Sequence, residues 1–123
     1  MDKRERTLEY IASSKKDLEG LPGAVKEMFI HGLGLALIGE KHPDAKPMKG
    51  FGNASLLELR ERYKGDAYRT MYTVKFEKAV YVLHVFKKKS KSGIATPKQE
   101  IELIKARLKM VESHYKEKFA GKR

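Results

Sequence analysis

The residues of this sequence best suited to chemistry are cationic side chains near the ends of its predicted strands. In an antiparallel hairpin the end of one strand lies beside the start of the next, so Arg69 and Lys87 should meet. Arg60 or Arg62 should approach Arg69 for the same reason. Guanidinium and ammonium groups gathered in this way suit the binding of phosphate oxygens. The cationic candidates are Lys46, Lys49, Arg60, Arg62, Arg69, Lys87, Lys88, Lys89 and Lys91.

Three aromatic residues and one histidine accompany these cations. Tyr68, Tyr72 and Phe86 are close enough in sequence to offer stacking faces to nucleic-acid bases. His84 has an ordinary pKa of about 6.5, which suits proton transfer near neutral pH. Tyr72, Phe86 and His84 also have a structural interpretation as core residues, and Arg69 could pair with Glu58 or Glu61. The lysine run could equally be a solvated loop.

The overall charge favours a polyanionic partner. The chain has 27 Lys and Arg residues against 16 Asp and Glu, which gives a formal net charge of +11. Nucleic acid is the commonest partner for such an excess, with an acidic protein or a membrane surface as the other possibilities.

Several classes of site are excluded by the residues that the sequence lacks. There is no cysteine, no phosphate-binding glycine loop and no dinucleotide fingerprint, and the four histidines are scattered without ligand spacing. We therefore expect no metal and no cofactor. The sequence has no signal-peptide core and no apolar stretch long enough to span a bilayer, so we expect a cytoplasmic protein with no membrane partner. Its length fits one domain over residues 1–123.

Hydrophobic periodicity predicts an α+β fold with the element order β-α-α-β-β-β-α, a small and mostly antiparallel sheet packed by helices. The predicted strand Ala79–Phe86 is apolar at almost every position, which is typical of a central strand covered on both faces. The predicted strands are Glu5–Ile11, Leu56–Arg60, Tyr68–Phe76 and Ala79–Phe86, the last two joined tightly at Glu77-Lys78. The predicted helices begin at Ser14, with Asp17 completing a capping box, at Pro22, and at Thr96-Pro97, and the last runs to about Lys116.

Several of these segments also resemble a known family. The matching strings are Leu57-Glu58-Leu59-Arg60, Tyr68-Arg69-x-x-Tyr72, Tyr81-Val82-Leu83-His84-x-Phe86-x-Lys88-Lys89-Ser90 and Thr96-Pro97. They are similar to the phage-derived, HigB-type branch of the RelE/ParE toxin superfamily. The likeness covers almost the whole chain, and the predicted element order agrees with that family's fold.

The resemblance implies the toxin of a type II toxin–antitoxin pair, neutralised by a cognate helix-turn-helix antitoxin. Such toxins cleave messenger RNA, typically on the ribosome and without metal, by attack of the ribose 2′-hydroxyl on the adjacent phosphate. The resemblance implies Arg69 on the phosphate and Arg60 as a second clamp. It implies Lys87, Lys88 or Lys89 for charge stabilisation and acid catalysis, and His84 for proton transfer. The RNA-binding residues would be Lys46, Lys49, Arg62, Tyr68, Tyr72, Phe86, Lys89 and Lys91.

Two other functions are compatible with the same sequence. The ParE branch shares the fold but poisons DNA gyrase through protein contacts, without cleaving RNA. A nucleic-acid-binding phage relic without activity would show salt-sensitive binding and no cleaved product.

Overall fold

The computed structural model describes residues 6–49, 51, 55–88 and 98–120. Its strands form one five-stranded sheet in the order β1-β5-β4-β3-β2. All neighbouring pairs are antiparallel except β1 and β5, which are parallel. The elements are β1 (Thr7–Tyr10), α1 (Ser14–Glu19), α2 (Gly23–Leu37), β2 (Lys46–Pro47), β3 (Leu56–Tyr63), β4 (Asp66–Thr73), β5 (Ala79–Lys88) and α3 (Lys98–Tyr115), followed by a π-helical segment, Lys116–Ala120. The predicted α+β fold is confirmed, and the structure adds the two-residue strand β2, which the predicted element order lacks.

The sheet separates two hydrophobic cores. On one face α2 packs Phe29 and Leu33 against Leu59 and Val82, among other residues. On the opposite face the α3 residue Ile104 belongs to the second core. The strand β5 lies between β1 and β4 and contributes residues to both cores, so both of its faces are covered and every residue from 79 to 85 is buried. The prediction of a central strand is confirmed.

The two hairpins of the sheet have different connections. Lys64 and Gly65 both have positive φ angles, 52° and 87°, and they join β3 to β4 in a two-residue turn of the kind that matches strand twist. The second connection is longer than predicted, because β4 ends at Thr73 and β5 begins at Ala79. The Thr73 hydroxyl accepts a hydrogen bond from the backbone N–H of Lys75 at 3.2 Å, which turns the chain out of the ladder.

A β-bulge in β5 changes which side chains face α3. Met71 pairs with His84, but the next residue, Tyr72, pairs with Val82, so Leu83 is an extra residue. Leu83 therefore belongs to the core under α3 although its neighbour His84 also faces that helix. A strict two-residue alternation could not predict this.

The helix α1 begins at Ser14 as predicted, but its capping residue differs from the predicted one. Ser13, not Ser14, is the N-cap, and its hydroxyl bonds to the Asp17 carboxylate at 2.8 Å. Ser14 is fully buried, where its hydroxyl accepts from the Ile11 N–H and donates to the Val82 carbonyl. The predicted start of α3 at Thr96-Pro97 lies outside the described residues, while its predicted end near Lys116 is confirmed.

Candidate nucleic-acid interface

Strand register places four of the predicted cations on one face of the sheet, the face that α3 partly covers. Arg60 pairs with Arg69, and Arg69 pairs with Phe86. One step nearer the strand ends, Arg62 pairs with Ala67 and Ala67 with Lys88. Because side chains two residues apart share a face, all these side chains lie on the same side as Glu58. We call Arg60, Arg62, Arg69 and Lys88, with Glu58 among them, the cationic face.

Glu58 connects the two arginines at the centre of the cationic face. Arg60 donates to its Oε1 from Nε at 3.2 Å and from Nη2 at 3.1 Å, and the Nη1 of Arg69 donates to its Oε2 at 3.2 Å. The expected approach of Arg60 to Arg69 is therefore confirmed, and so is the alternative that Arg69 pairs with Glu58. The sequence analysis gave Glu58 no functional role, although its two-residue spacing from Arg60 was the available signal.

The two arginines differ sharply in exposure. The Arg69 side chain is 3% exposed and that of Arg60 is 46% exposed. Burial is the main cause that lowers the pKa of Arg69, with the Arg60 charge acting in the same sense and Glu58 opposing both. A guanidinium remains protonated under such conditions because its ordinary pKa is so high. Arg69 is thus a buried permanent charge behind the exposed Arg60.

Lys88 is the lysine that joins this cluster. It is 8% exposed, and its pKa is lowered, first by burial and then by the charges of Arg69 and Arg60, while Glu58 acts in the opposite sense. Lysine pKa values shift readily on burial, which suits this residue to proton transfer.

The predicted approach of Lys87 to Arg69 is corrected by the strand register. The hairpin does bring it to the end where Arg69 enters, but its register partner is Tyr68, so its side chain lies on the opposite face. There its Nζ is 3.5 Å from the Asp66 carboxylate, and 39% of the side chain is exposed. The predicted convergence with Arg69 therefore belongs to Lys88.

The predicted cations Lys46 and Lys49 lie at the open side of the cationic face. Lys46 pairs with Glu58 across the β2–β3 ladder. A cleft of about 380 Å³ is lined by Asp44, Lys46, Lys49, Glu58 and Arg60. Lys46 and Lys49 are exposed, so three of the predicted cations face the same cleft together with two carboxylates.

The aromatic predictions divide between the two faces. Tyr68 and Tyr72 are 7% and 0% exposed in the core under α2, so the prediction that they stack on bases is wrong. Burial raises the pKa of Tyr72 to about 12. Phe86 is half-buried on the same side as Arg69, where its ring stacks on His84 with a centroid distance of 4.8 Å.

His84 is held by two residues of α3. Its Nε2 is 2.5 Å from the Glu100 carboxylate, and its Nδ1 is 3.3 Å from Arg107. A guanidinium only donates hydrogen bonds, so Nδ1 accepts and the proton of the neutral ring lies on Nε2, donated to Glu100. Burial, aided by Arg107, lowers the pKa of His84 against the opposing effects of Glu100 and Asp17. Both ring nitrogens are therefore engaged inside the protein, an arrangement that supports the structural interpretation of this histidine.

Glu100 and Arg107 were missed by the sequence analysis. They are seven residues apart and alternate with the buried Ile104 and Val111 on one stripe of α3. Polar residues on an otherwise apolar stripe were the signal that could have found them.

The remaining predictions concern Lys89 and Lys91, metal ions and the membrane. Lys89 and Lys91 lie outside the described residues. No three His, Asp or Glu side chains in the described ranges lie close enough together to hold a metal ion. Each helix in those ranges is too short or too polar to cross a bilayer.

Comparison with known proteins gives one family and two structural neighbours. The profile of the family described as "Phage derived protein Gp49-like (DUF891)" matches residues 16–109. No curated protein matches the sequence. A free-state structure of a double arginine-to-alanine mutant of the Escherichia coli toxin RelE superposes with a TM-score of 0.54 and 18% identity, covering 90% of this chain and 99% of that one. A chain of the toxin–antitoxin complex RelBE2 from Mycobacterium tuberculosis gives a TM-score of 0.47 and 21% identity, covering 70% and 94%. The first likeness shows that the chain has a RelE-type fold.

Proposed function

This chain belongs to the phage-derived Gp49-like family, and from that membership we propose that it is the toxin of a type II toxin–antitoxin pair. Its activity is cleavage of messenger RNA without a metal ion, and a cognate helix-turn-helix antitoxin neutralises it. The RelE-type fold supports this proposal, since RelE of Escherichia coli is itself a toxin.

The observation that carries the proposal is the cationic face. Arg60 is exposed in a cleft with Lys46 and Lys49, and Arg69 and Lys88 lie behind it. Cations gathered at one place neutralise the charge that develops on phosphate oxygens, and that charge is the main electrostatic barrier to phosphodiester cleavage. Exposed lysines at the cleft mouth suit contacts with neighbouring phosphates along a single strand.

The reaction is attack of the ribose 2′-oxygen on the adjacent phosphorus. The 2′-hydroxyl gives up its proton as its oxygen bonds to phosphorus, and the bond from phosphorus to the 5′-oxygen breaks. The 5′-oxygen takes up a proton, which leaves a cyclic phosphate and a free 5′-hydroxyl. We assign the proton donor as Lys88, because a lowered pKa makes its ammonium group a stronger acid than an ordinary lysine.

Dependence on the ribosome fits the shape of the site. The cleft is lined by charged side chains, and Phe86, the ring that register places beside Arg69, already stacks on His84. Contacts to a phosphate backbone fix where a nucleic acid lies but do not read its bases. We therefore propose that the messenger is positioned by the ribosome and that this chain supplies the charges for cleavage.

The test uses the neighbouring lysines as a matched pair. After induction in bacteria, 5′-ends of messages are mapped by primer extension, and growth is followed. Lys88→Met is expected to lower cleavage by about 10²–10⁴-fold, the usual range for loss of a positioned acid. Lys87→Met removes the same charge from the opposite face and should leave cleavage within a few-fold of the unsubstituted chain.

Other outcomes would contradict the assignment. Equal losses in both variants would mean that only total charge matters, and full activity of Lys88→Met would remove Lys88 from the mechanism. Intact messages accompanied by DNA breaks would instead favour gyrase poisoning. Salt-sensitive RNA binding without cleaved product would favour an inactive relic. Co-expression of an adjacent helix-turn-helix reading frame should restore growth if it encodes the antitoxin.

A further inference from the structure

We propose that Arg69 is a positioning residue, which neutralises and anchors Glu58 so that Glu58 orients Arg60, and that Arg60 alone of the two arginines contacts RNA phosphate. The inference rests on the proposed function for its substrate class, because it takes the anion at this site to be an RNA backbone. It changes the role of Arg69, which the sequence resemblance assigned to the phosphate itself.

The exposure of the two guanidinium groups carries the first step. Arg69 is buried, with 3% of its side chain exposed, whereas 46% of the Arg60 side chain is exposed and lines the cleft with Lys46 and Lys49. A phosphate entering from solvent through this cleft therefore reaches Arg60 first.

The hydrogen bonds of Glu58 carry the second step. Each carboxylate oxygen serves a different arginine, Oε2 taking Arg69 and Oε1 taking both Nε and Nη2 of Arg60. The two-nitrogen contact fixes the plane of the Arg60 guanidinium and leaves Nη1 for a phosphate oxygen. An arginine already held in place loses less conformational entropy when it binds its ligand.

Charge balance carries the third step. Glu58 and Arg60 alone would form a neutral pair with little attraction for an anion. The buried charge of Arg69 offsets the carboxylate, so the three groups together keep one positive charge, and it is presented at the exposed member. Arg69 thus acts on RNA through Glu58 and Arg60.

The test is a binding cycle with a single-stranded 2′-O-methyl RNA oligonucleotide, in which the attacking hydroxyl is blocked. Affinity of the full chain is measured between 50 and 300 mM KCl for Arg60→Ala, for the pair Glu58→Gln with Arg69→Met, and for all three together. The pair removes one negative and one positive charge, so the net charge is unchanged and neither partner of the buried Glu58–Arg69 contact is left without the other. Thermal unfolding confirms that each variant is folded.

Arg60→Ala is expected to weaken binding about tenfold and to reduce the slope of log affinity against log salt by about 0.7, the value for one phosphate contact on a single strand. The Glu58/Arg69 pair should weaken binding several-fold without changing the slope. Adding the pair to Arg60→Ala should have no further effect. A slope reduction for the pair alone, or a triple variant weaker by the product of both effects, would overturn the proposal by showing that Arg69 contacts phosphate directly.

Arg60→Lys provides a second measurement should the paired variant not fold. It keeps the charge but not the two-nitrogen contact, so binding should weaken several-fold at unchanged slope; binding equal to that of the unsubstituted chain would overturn the proposal. A chain that binds but never cleaves native messages would refute the proposed nuclease while the cycle still decides the role of Arg69. If the chain cleaves messages but the triple variant binds more weakly by the product of the two separate effects, only the positioning role of Arg69 is refuted. If binding does not depend on salt at all, both the proposed function and the positioning role are refuted.

Discussion

His84 shows how a residue that could transfer protons can instead be held in one protonation state by its neighbours. Arg107 occupies Nδ1 as a donor, so the ring is neutral and gives its Nε2 proton to Glu100. These contacts tie α3 to β5 at a position two residues from Phe86 and four from Lys88 on the same strand. Its structural role is therefore to hold the helix beside the cationic face.

The buried imidazole makes stability depend on pH. The folded pKa of His84 is lowered, chiefly by burial, so it lies below the unfolded value of about 6.5. As the pH falls through 6.5, the unfolded chain binds a proton that the folded chain does not, and the free energy of unfolding decreases. We expect His84→Gln, which cannot titrate but can still donate to Glu100, to lessen this decrease between pH 7 and pH 5 in urea unfolding.

The control for this pH dependence is an exposed histidine. His31→Gln lies in α2 and should leave the curve unchanged. A His84→Gln variant with the same pH dependence as the unsubstituted chain would mean that His84 does not contribute to it.

The residues of the site were predictable to the extent that strand pairing determines them. Pairing consecutive strands brings Arg60 beside Arg69, and this contact can be predicted from the sequence alone. Choosing between Lys87 and Lys88 requires the register, which depends on the bulge at Leu83 and on the long connection after Thr73. Neither feature has a local sequence signal. Without the register, the sequence also could not show that Tyr68 and Tyr72 face the core under α2.

At the scale of elements, the contact between α2 and β3 depends on one glycine. A Cβ at Gly32 would lie 2.3 Å from Cδ1 of the fully buried Leu59, whereas a Cβ at Gly34 would meet nothing within 4 Å. The helix α2 continues through both glycines, which have different roles. Gly32 permits a close approach that no periodicity rule anticipates, and Leu59 lies between Glu58 and Arg60 on β3.

The two glycines therefore give opposite predictions. Gly32→Ala should lower the free energy of unfolding by about 1–3 kcal/mol, because the added methyl overpacks the core against Leu59. Gly34→Ala should raise it by up to about 1 kcal/mol, because alanine is the better helix former at an open position. Chemical denaturation of both variants is the measurement, and equal effects would show that the Leu59 side chain gives way without cost.

At the scale of the whole molecule, one sheet is shared by two cores, and each core contains a buried tyrosine. Tyr72 lies under α2 and Tyr81 under α3, both with no exposed surface. The Tyr72 hydroxyl has no hydrogen-bond partner among the described residues, whereas the Tyr81 hydroxyl lies 2.6 Å from Nδ1 of His114. Since β4 and β5 carry these residues on adjacent strands, we expect the loss of either core to unfold the sheet as one unit.

This arrangement predicts a loss of stability in alkali. Burial raises the folded pKa of both tyrosines to about 12, above the unfolded value of about 10. Their contribution is therefore fully present below pH 10 and is lost as the pH rises toward 12, because the unfolded chain ionises first. Urea unfolding between pH 8 and pH 11 should show this decline, and Tyr72→Phe and Tyr81→Phe should each reduce it.

The two variants are distinguished at neutral pH. Tyr72→Phe removes an unsatisfied buried hydroxyl and should stabilise the chain by about 1 kcal/mol, whereas Tyr81→Phe loses the bond to His114 and should destabilise it by a similar amount. If Tyr72→Phe were destabilising, its hydroxyl would have to be bonded in solution. If the alkaline decline persisted unchanged in both variants, groups other than these two tyrosines would have to cause it.

The number of unfolding transitions tests whether the two cores unfold together. A single transition in every variant is expected if both cores depend on one sheet, whereas two separate transitions would show that the α2 and α3 layers unfold independently.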